Sequence, residues 1–316
     1  MAYQDVYLRG VTTPSGDRRC AQRYAIVRSV VKAFTRQVTV WDIGANLGYF
    51  GCRLADEFGA VSVMVEQRRG ILDVCQQNAL PTTIALQRSI SVTELSELAA
   101  CEHADVVLAM NVLHHMPDWR DALTALLEMG ESIIIETPGR GDRGSAQYAR
   151  AQEILDTLET LAPEQIGESP SHVTSGVRRP MFLLQRPRTS IRAGYAYPSR
   201  VRAKGPQQVR PHVITATPHE KSIQFEDGPA RPWIAGMNLW NWLQMGGGYP
   251  DRETVQATAA AALGEAAGQH GDLRPWNVIL SGQQAHVIDG GHRHGHDAAT
   301  LAESLTWLAK PELAYV

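Results

Sequence analysis

The clearest first information in this chain is what it lacks. Its four cysteines, Cys20, Cys52, Cys75 and Cys101, are scattered with no C-x-x-C pair. That spacing argues against a zinc site and for free thiols in a reducing compartment. No run of residues approaches the apolar length of a membrane span. The N-terminus, MAYQDVYLRG, has no apolar signal-peptide core, so a cytoplasmic location is expected. There is no excess of one charge: the net value of -3 gives no electrostatic reason to expect nucleic acid as a partner. No internal repeat is found. What remains is a globular composition, 44% hydrophobic and 20% charged, over 316 residues, long enough for two domains.

The chain is organised around VTVWDIGANLGYFGCRLA, residues 38 to 55. A β-branched and apolar run ends in Asp42, Gly44 and Gly48 follow, and then a helical pattern carries Tyr49, Phe50 and Leu54. This predicts strand, tight turn and helix, with a ligand at the carboxyl end of the strand and the first helical N–H groups facing it. The spacing G-x-x-x-G misses the dinucleotide fingerprint, and no Lys-Ser/Thr pair makes it a P-loop. It resembles the first motif of class I S-adenosylmethionine-dependent methyltransferases, D-I-G-A-x-x-G, which implies cofactor contacts along Asp42, Gly44, Asn46 and Gly48. The alternative is a strand–helix corner that uses glycine only for packing.

The remaining periodicities of the first half alternate. A helix is expected over Ala21 to Phe34 after a polar, irregular start. Strands are expected at 61 to 67, 82 to 90, 104 to 115 and 132 to 138, with helices between them. The near-continuous apolar character of 104 to 115 suits a parallel strand buried on both faces. PMFLLQRP reads as a late strand lying antiparallel, after a helix from about Tyr148 to Leu161. The fold class is therefore α/β, a doubly wound, Rossmann-like sheet. On such a sheet an adenosyl cofactor needs a carboxylate for its ribose hydroxyls at the end of the second strand. Glu66, followed by Gln67, is placed for this; its other reading is a surface glutamate. Arg88, Ser89 and Ile90 at the third strand's end would form one side of an adenine slot, and Met110 and Asn111 the other. His114 and His115 lie where a methyl acceptor would sit, to remove a proton or to hold an anion, unless they are packed loop residues.

The second half carries a different signal. HGDLRPWN followed by VIDGG places Asp272 and Asn277 five residues apart, as in a kinase catalytic loop, with Asp289 on a following strand. Asp272 would be the base, and Asn277 and Asp289 would hold Mg2+ on the phosphates of ATP. Yet residues 188 to 235 contain no G-x-G-x-x-G, no clear helix to carry a pairing glutamate, and only Lys204 and Lys221 as lysines. A small lobe is thus expected to be truncated or absent. His292, His294 and His296 read either as a metal site or as a solvated loop. Trp240, Trp242 and the 188 to 235 connection are expected to shape the entrance for the acceptor.

Both halves, in this order, resemble the bifunctional methyltransferase–kinases that terminate O-antigen polysaccharide chains, the WbdD type. RRCAQRY is similar to that family's cofactor-binding Arg segment, which implies a contact from Arg23. Tyr3 and Gln4 are similar to its Tyr-Gln pair, NVLHH to its strand-end histidines, RRPMFLL to its late strand and RPWNV to its kinase loop. The resemblance implies a class I methyltransferase domain over 1–187 and a reduced kinase-like domain over 188–316. It also implies S-adenosylmethionine as cofactor and a small-molecule or saccharide acceptor methylated on a phosphate or hydroxyl. With its small lobe cut down, the kinase-like half is expected to have lost activity. The alternatives are an enzyme that first phosphorylates and then methylates its acceptor, and a non-catalytic protein that keeps both folds as scaffolds.

Overall fold

The computed structural model describes residues 4–14, 20–143, 147–186, 190–192, 211–224, 230–266 and 277–288. The polar start is not irregular. It forms a hairpin of β1 (Val6–Leu8) and β2 (Val11–Thr13), tied down by Asn78, which donates to the Tyr7 carbonyl and accepts from the Arg9 N–H. After α1 (Cys20–Val31) comes the predicted alternation. It runs β3 (Thr39–Ile43), α2 (Tyr49–Phe58), β4 (Val61–Glu66), α3 (Gly70–Asn78), β5 (Thr83–Gln87), α4 (Val92–Cys101), β6 (Ala104–Met110), α5 (Trp119–Met129) and β7 (Gly130–Glu136). These five strands pair in parallel. After α6 (Tyr148–Thr160), β8 (Glu164–Pro170) and β9 (Arg178–Gln185) close one edge antiparallel. The order is β5-β4-β3-β6-β7-β9-β8.

Strand alternation sends side chains to opposite faces, and here both faces are covered. Trp41, Ile43, Val63 and Val65 pack with Leu95, Leu123 and Leu155 of α4, α5 and α6. Val40 and Met64 pack with Tyr24, Tyr49 and Ile71 of α1, α2 and α3. The fourth strand is shorter than its apolar run. It stops at Met110 because Asn111 adopts a left-handed conformation, φ 65°, and Leu113–His115 form a single 3₁₀ turn.

The later residues are built onto this sheet. Where little periodicity was legible, β10 (Ser190–Arg192), β11 (Pro211–Ala216), β12 (Lys221–Gln224) and β13 (Arg231–Pro232) form a four-stranded antiparallel sheet. Then follow β14 (Met237–Asn238), α7 (Leu239–Gln244), α8 (Arg252–Ala266), β15 (Val278–Leu280) and β16 (Ala285–Val287). Met237, Trp242, Val255 and Leu280 join the same core as α4 and α5.

The attachment is at the amino ends of the parallel strands. The Gly236 N–H donates to Thr39 at the start of β3. Glu102, just before β6, accepts from the Asn238 N–H and the Asn241 amide. Tyr249 exchanges both backbone hydrogen bonds with Ala85 on the β5 edge, and a Cβ on the preceding Gly248 would fall 1.9 Å from the Ala85 carbonyl oxygen. Lys221 is buried with its ammonium 2.6 Å from Asp105, 2.8 Å from His103 Nδ1 and 3.5 Å from Glu131. It also lies over the Trp233 ring. Trp240 and Trp242 are buried in this region, near the amino ends of the strands, and do not reach the cleft at their carboxyl ends. Among the described residues no helix is long and apolar enough to cross a membrane.

Candidate functional site

At the carboxyl ends of the parallel strands lies a cleft of about 640 Å³, a size suited to small-molecule sites. Its floor is the turn after β3. Gly44, at φ 77°, and Asn46, at φ 57°, bend the chain in the left-handed region, and the Gly44 and Ala45 N–H groups donate to the Val65 carbonyl. That pins the turn against β4. The next two N–H groups of the turn, ahead of α2, are taken by side chains: Asn46 donates to Glu66 and Leu47 to Gln4. The turn spends its donors on orienting two side chains, one of them an acid.

Glu66 is thereby held by two N–H donors, Asn46 to one carboxylate oxygen and Arg68 to the other. Its position is set before any ligand arrives. Asp42 is buried and also lines the cleft, and its Oδ2 has no hydrogen-bond partner. Burial, reinforced by the Glu66 charge and opposed by Arg23, pushes its carboxyl up to about 7. Arg23 lines the same end. It donates to Glu136 at 3.0 Å and to the Cys20 sulfur, and it packs over the Phe50 ring. Burial alone would discourage its charge, but Glu136 keeps the guanidinium pKa above its ordinary value. Glu136 also accepts from Ser169.

The far end of the cleft gathers two histidines and a paired arginine. His114 and His115 stack with ring centroids 4.0 Å apart. Burial, with Arg150 and Arg179 nearby, lowers the His115 pKa, so its imidazole is neutral. Arg179 is buried and lines the cleft; its Nε and Nη2 both reach Asp142 at 2.7 Å. Ser171 donates to the other oxygen of Asp142. Gln147 and His172 complete this side.

The cleft therefore gathers Gln4, Arg23, Asp42, Gly44, Asn46, Glu66 and Gln67. It also gathers Arg88, Ser89, Ile90, Met110, Asn111, His114 and His115, all singled out in the sequence. Gly48 is not among its walls. It caps α2, and a Cβ there would lie 2.9 Å from the Met64 sulfur, so its role is packing. Tyr3, Asp272 and Asp289 lie outside the described residues, as do Lys204, His292, His294 and His296. Asn277 is buried at the start of β15, where its carbonyl accepts from the Ile288 N–H. Sequence reasoning missed Gln147, His172 and Arg179. For Arg179 the signal was present: a paired arginine opens an otherwise apolar strand.

Fold and site together define a doubly wound α/β sheet with a cleft at its switch point, carboxylates by the glycine turn and nitrogen donors opposite. No protein-family model matches the chain. Two curated Escherichia coli proteins named "O-antigen chain terminator bifunctional methyltransferase/kinase WbdD" are each 25% identical over an alignment of 360 residues that covers 92% of this chain. The chain resembles the WbdD type and spans about half the length of these relatives, 50%. Among solved structures, one titled as the bifunctional kinase-methyltransferase WbdD is 19% identical with a TM-score of 0.47, covering 94% of this chain and 81% of its own. The N-terminal domain of EvdMO1, solved with SAH and D-fucose, is 17% identical with a TM-score of 0.42, covering 58% of this chain and 90% of its own.

Proposed function

We propose that the chain is an S-adenosylmethionine-dependent O-methyltransferase whose acceptor presents an anionic oxygen, a phosphate in preference to a neutral hydroxyl. The observation that carries this reading is the pair of carboxylates at the glycine turn, with arginine and histidine nitrogens at the other end of the cleft. S-adenosylmethionine brings a sulfonium, an ammonium and two ribose hydroxyls, all of which favour acidic acceptors. The turn offers Asp42, with an unpartnered buried oxygen, beside the fixed carboxylate of Glu66. A buried acceptor without a donor costs free energy unless a ligand supplies one, so the residues fit the group.

In this assignment Glu66 would hold the ribose and Asp42 the ammonium. Arg23 and Gln4 hold the carboxylate end. Arg88, Ser89, Ile90, Met110 and Asn111 would border the adenine. The bound cofactor would supply an electrophilic methyl group. The chain's own work is to fix the acceptor oxygen and exclude water. Arg179, oriented by Asp142, offers N–H donors to an oxyanion, and the charge of Arg150 attracts one. His115, being neutral, accepts a hydrogen bond or a proton from a protonated acceptor.

The relatives' name joins a kinase to the methyltransferase, and we take residues 188–316 as a reduced kinase-like domain after a methyltransferase domain over 1–187. The reading that it is inactive is supported by Lys221, whose ammonium is enclosed by Asp105, His103 and Glu131. It is not available there to neutralise nucleotide phosphates. A cytoplasmic location belongs to the same proposal. The test is incubation with methyl-labelled S-adenosylmethionine and matched phosphorylated and unphosphorylated saccharides, with and without ATP–Mg2+. Transfer to the phosphorylated set alone, independent of ATP, is expected. Transfer only to unphosphorylated sugars overturns the anionic acceptor, and transfer to them only when ATP is present favours the bifunctional enzyme.

A further inference from the structure

The loop between β8 and β9 brings an apolar side chain to the cleft. Among the described residues only two large hydrophobic side chains are exposed, Val11 at 62% and Val173 at 43%. Val11 belongs to the N-terminal hairpin, whereas Val173 lines the cleft. Pro117, exposed, and Met116, half-buried, line it too. We infer that Val173 selects acceptors that carry an apolar group, alkyl or aryl, next to the anionic oxygen. The inference rests on the reading of the histidine and Arg179 end as the acceptor site, and it narrows what that site takes.

Two observations support it. The first is position. Met116 and Pro117 directly follow His114 and His115 along the chain, and Val173 directly follows His172; all six line the cleft. The apolar walls thus belong to the acceptor end and not to the glycine turn. The second is restraint. The Ser171 hydroxyl accepts from the Val173 and Thr174 N–H groups, each at 3.1 Å, and donates to Asp142 at 2.8 Å. One donor and two acceptor sites are all that a hydroxyl has. The Ser171 N–H donates to the Val177 carbonyl at 2.8 Å, which closes the loop. Asp142 is buried, and its other oxygen accepts from Arg179 at 2.7 Å. One carboxylate therefore fixes both the arginine offered to the anion and the turn that presents Val173. An apolar side chain held in water by such a network leaves favourable burial unrealised until a ligand covers it. An apolar group on the acceptor gains from that contact, while a hydroxyl in the same place would give up its water without a partner on Val173.

The test is calorimetry on the full chain saturated with SAH, using two matched probes, hexose 6-phosphate and cyclohexylmethyl phosphate. They share the phosphate, the methylene and a six-membered ring, and differ in the ring oxygen and the hydroxyls. Covering about 55 Å² of apolar surface corresponds to about tenfold in affinity. The wild-type chain should therefore bind cyclohexylmethyl phosphate about tenfold more tightly than hexose 6-phosphate. Val173→Ser removes exposed apolar surface, leaves the core untouched, and should cut that preference about threefold or more. Equal affinities, a preference for the hexose phosphate, or a preference undiminished in the variant overturns the inference while the acceptor reading stands. Failure of both phosphates to bind overturns both.

Discussion

Asp42→Asn should make the protein more stable and a poorer binder of its cofactor, and the size of the first effect follows from the structure. A carboxyl that titrates near 7 when folded and near 4 when unfolded binds its proton more tightly in the fold. Its contribution to stability is therefore greatest in acid, declines as pH rises from about 4 to about 7, and is constant above that. The full decline is about 4 kcal/mol, an upper value, since water entering the cleft would relieve part of it. Asparagine has the same shape and no charge. The assay is urea unfolding of both proteins at pH 5 and pH 8, taking the difference of differences so that other groups cancel. The variant should gain up to about 2–3 kcal/mol relative to wild type on going from pH 5 to pH 8, while its S-adenosylmethionine affinity at pH 8 falls at least tenfold. A variant whose relative stability does not change with pH would refute the burial argument. Unchanged affinity would remove Asp42 from the cofactor's surroundings.

Lys221→Ala strips the cation from a buried acidic cluster; breaking such a pair costs about 3–5 kcal/mol, read as a lower urea midpoint. Burial alone would raise the Asp105 carboxyl, but Lys221 and Arg36 bring it down to about 2, so the loss should shrink as pH falls toward that value. Arg179→Ala paired with Asp142→Asn, which keeps the site neutral, should raise the KM for a phosphorylated acceptor about tenfold or more and leave cofactor affinity intact. His115→Ala should lower turnover at unchanged cofactor affinity; equal rates would make the ring structural.

The parallel sheet was legible because its strands are apolar on both faces and its turns carry glycine. The acidic half of the cleft followed, since Asp42 and Glu66 each end such a strand. The basic half did not. Arg179, His172 and Gln147 come from an antiparallel strand, a loop and a helix start that converge only in space, and their spacing in the sequence carries no period. The hairpin at Val6–Leu8 and the sheet of β10 to β13 were also hidden. Their strands are short, and register there is fixed by contacts such as Asn78 with Tyr7 and Lys221 with Asp105 rather than by a long alternating pattern. Fourth-strand length was overread because the apolar run continues through Val112 and Leu113 into a 3₁₀ turn, where a buried strand and a buried turn look alike.

Calorimetric titration of the full chain with S-adenosylmethionine, repeated on Glu66→Ala, tests the central claim most directly. Charge-assisted hydrogen bonds from the ribose to Glu66 are worth about 1.5–3 kcal/mol. The account predicts saturable binding by the wild-type chain and a ten- to hundredfold weaker constant, roughly, in the variant. No binding by the wild-type chain, or the same affinity in both, would contradict it.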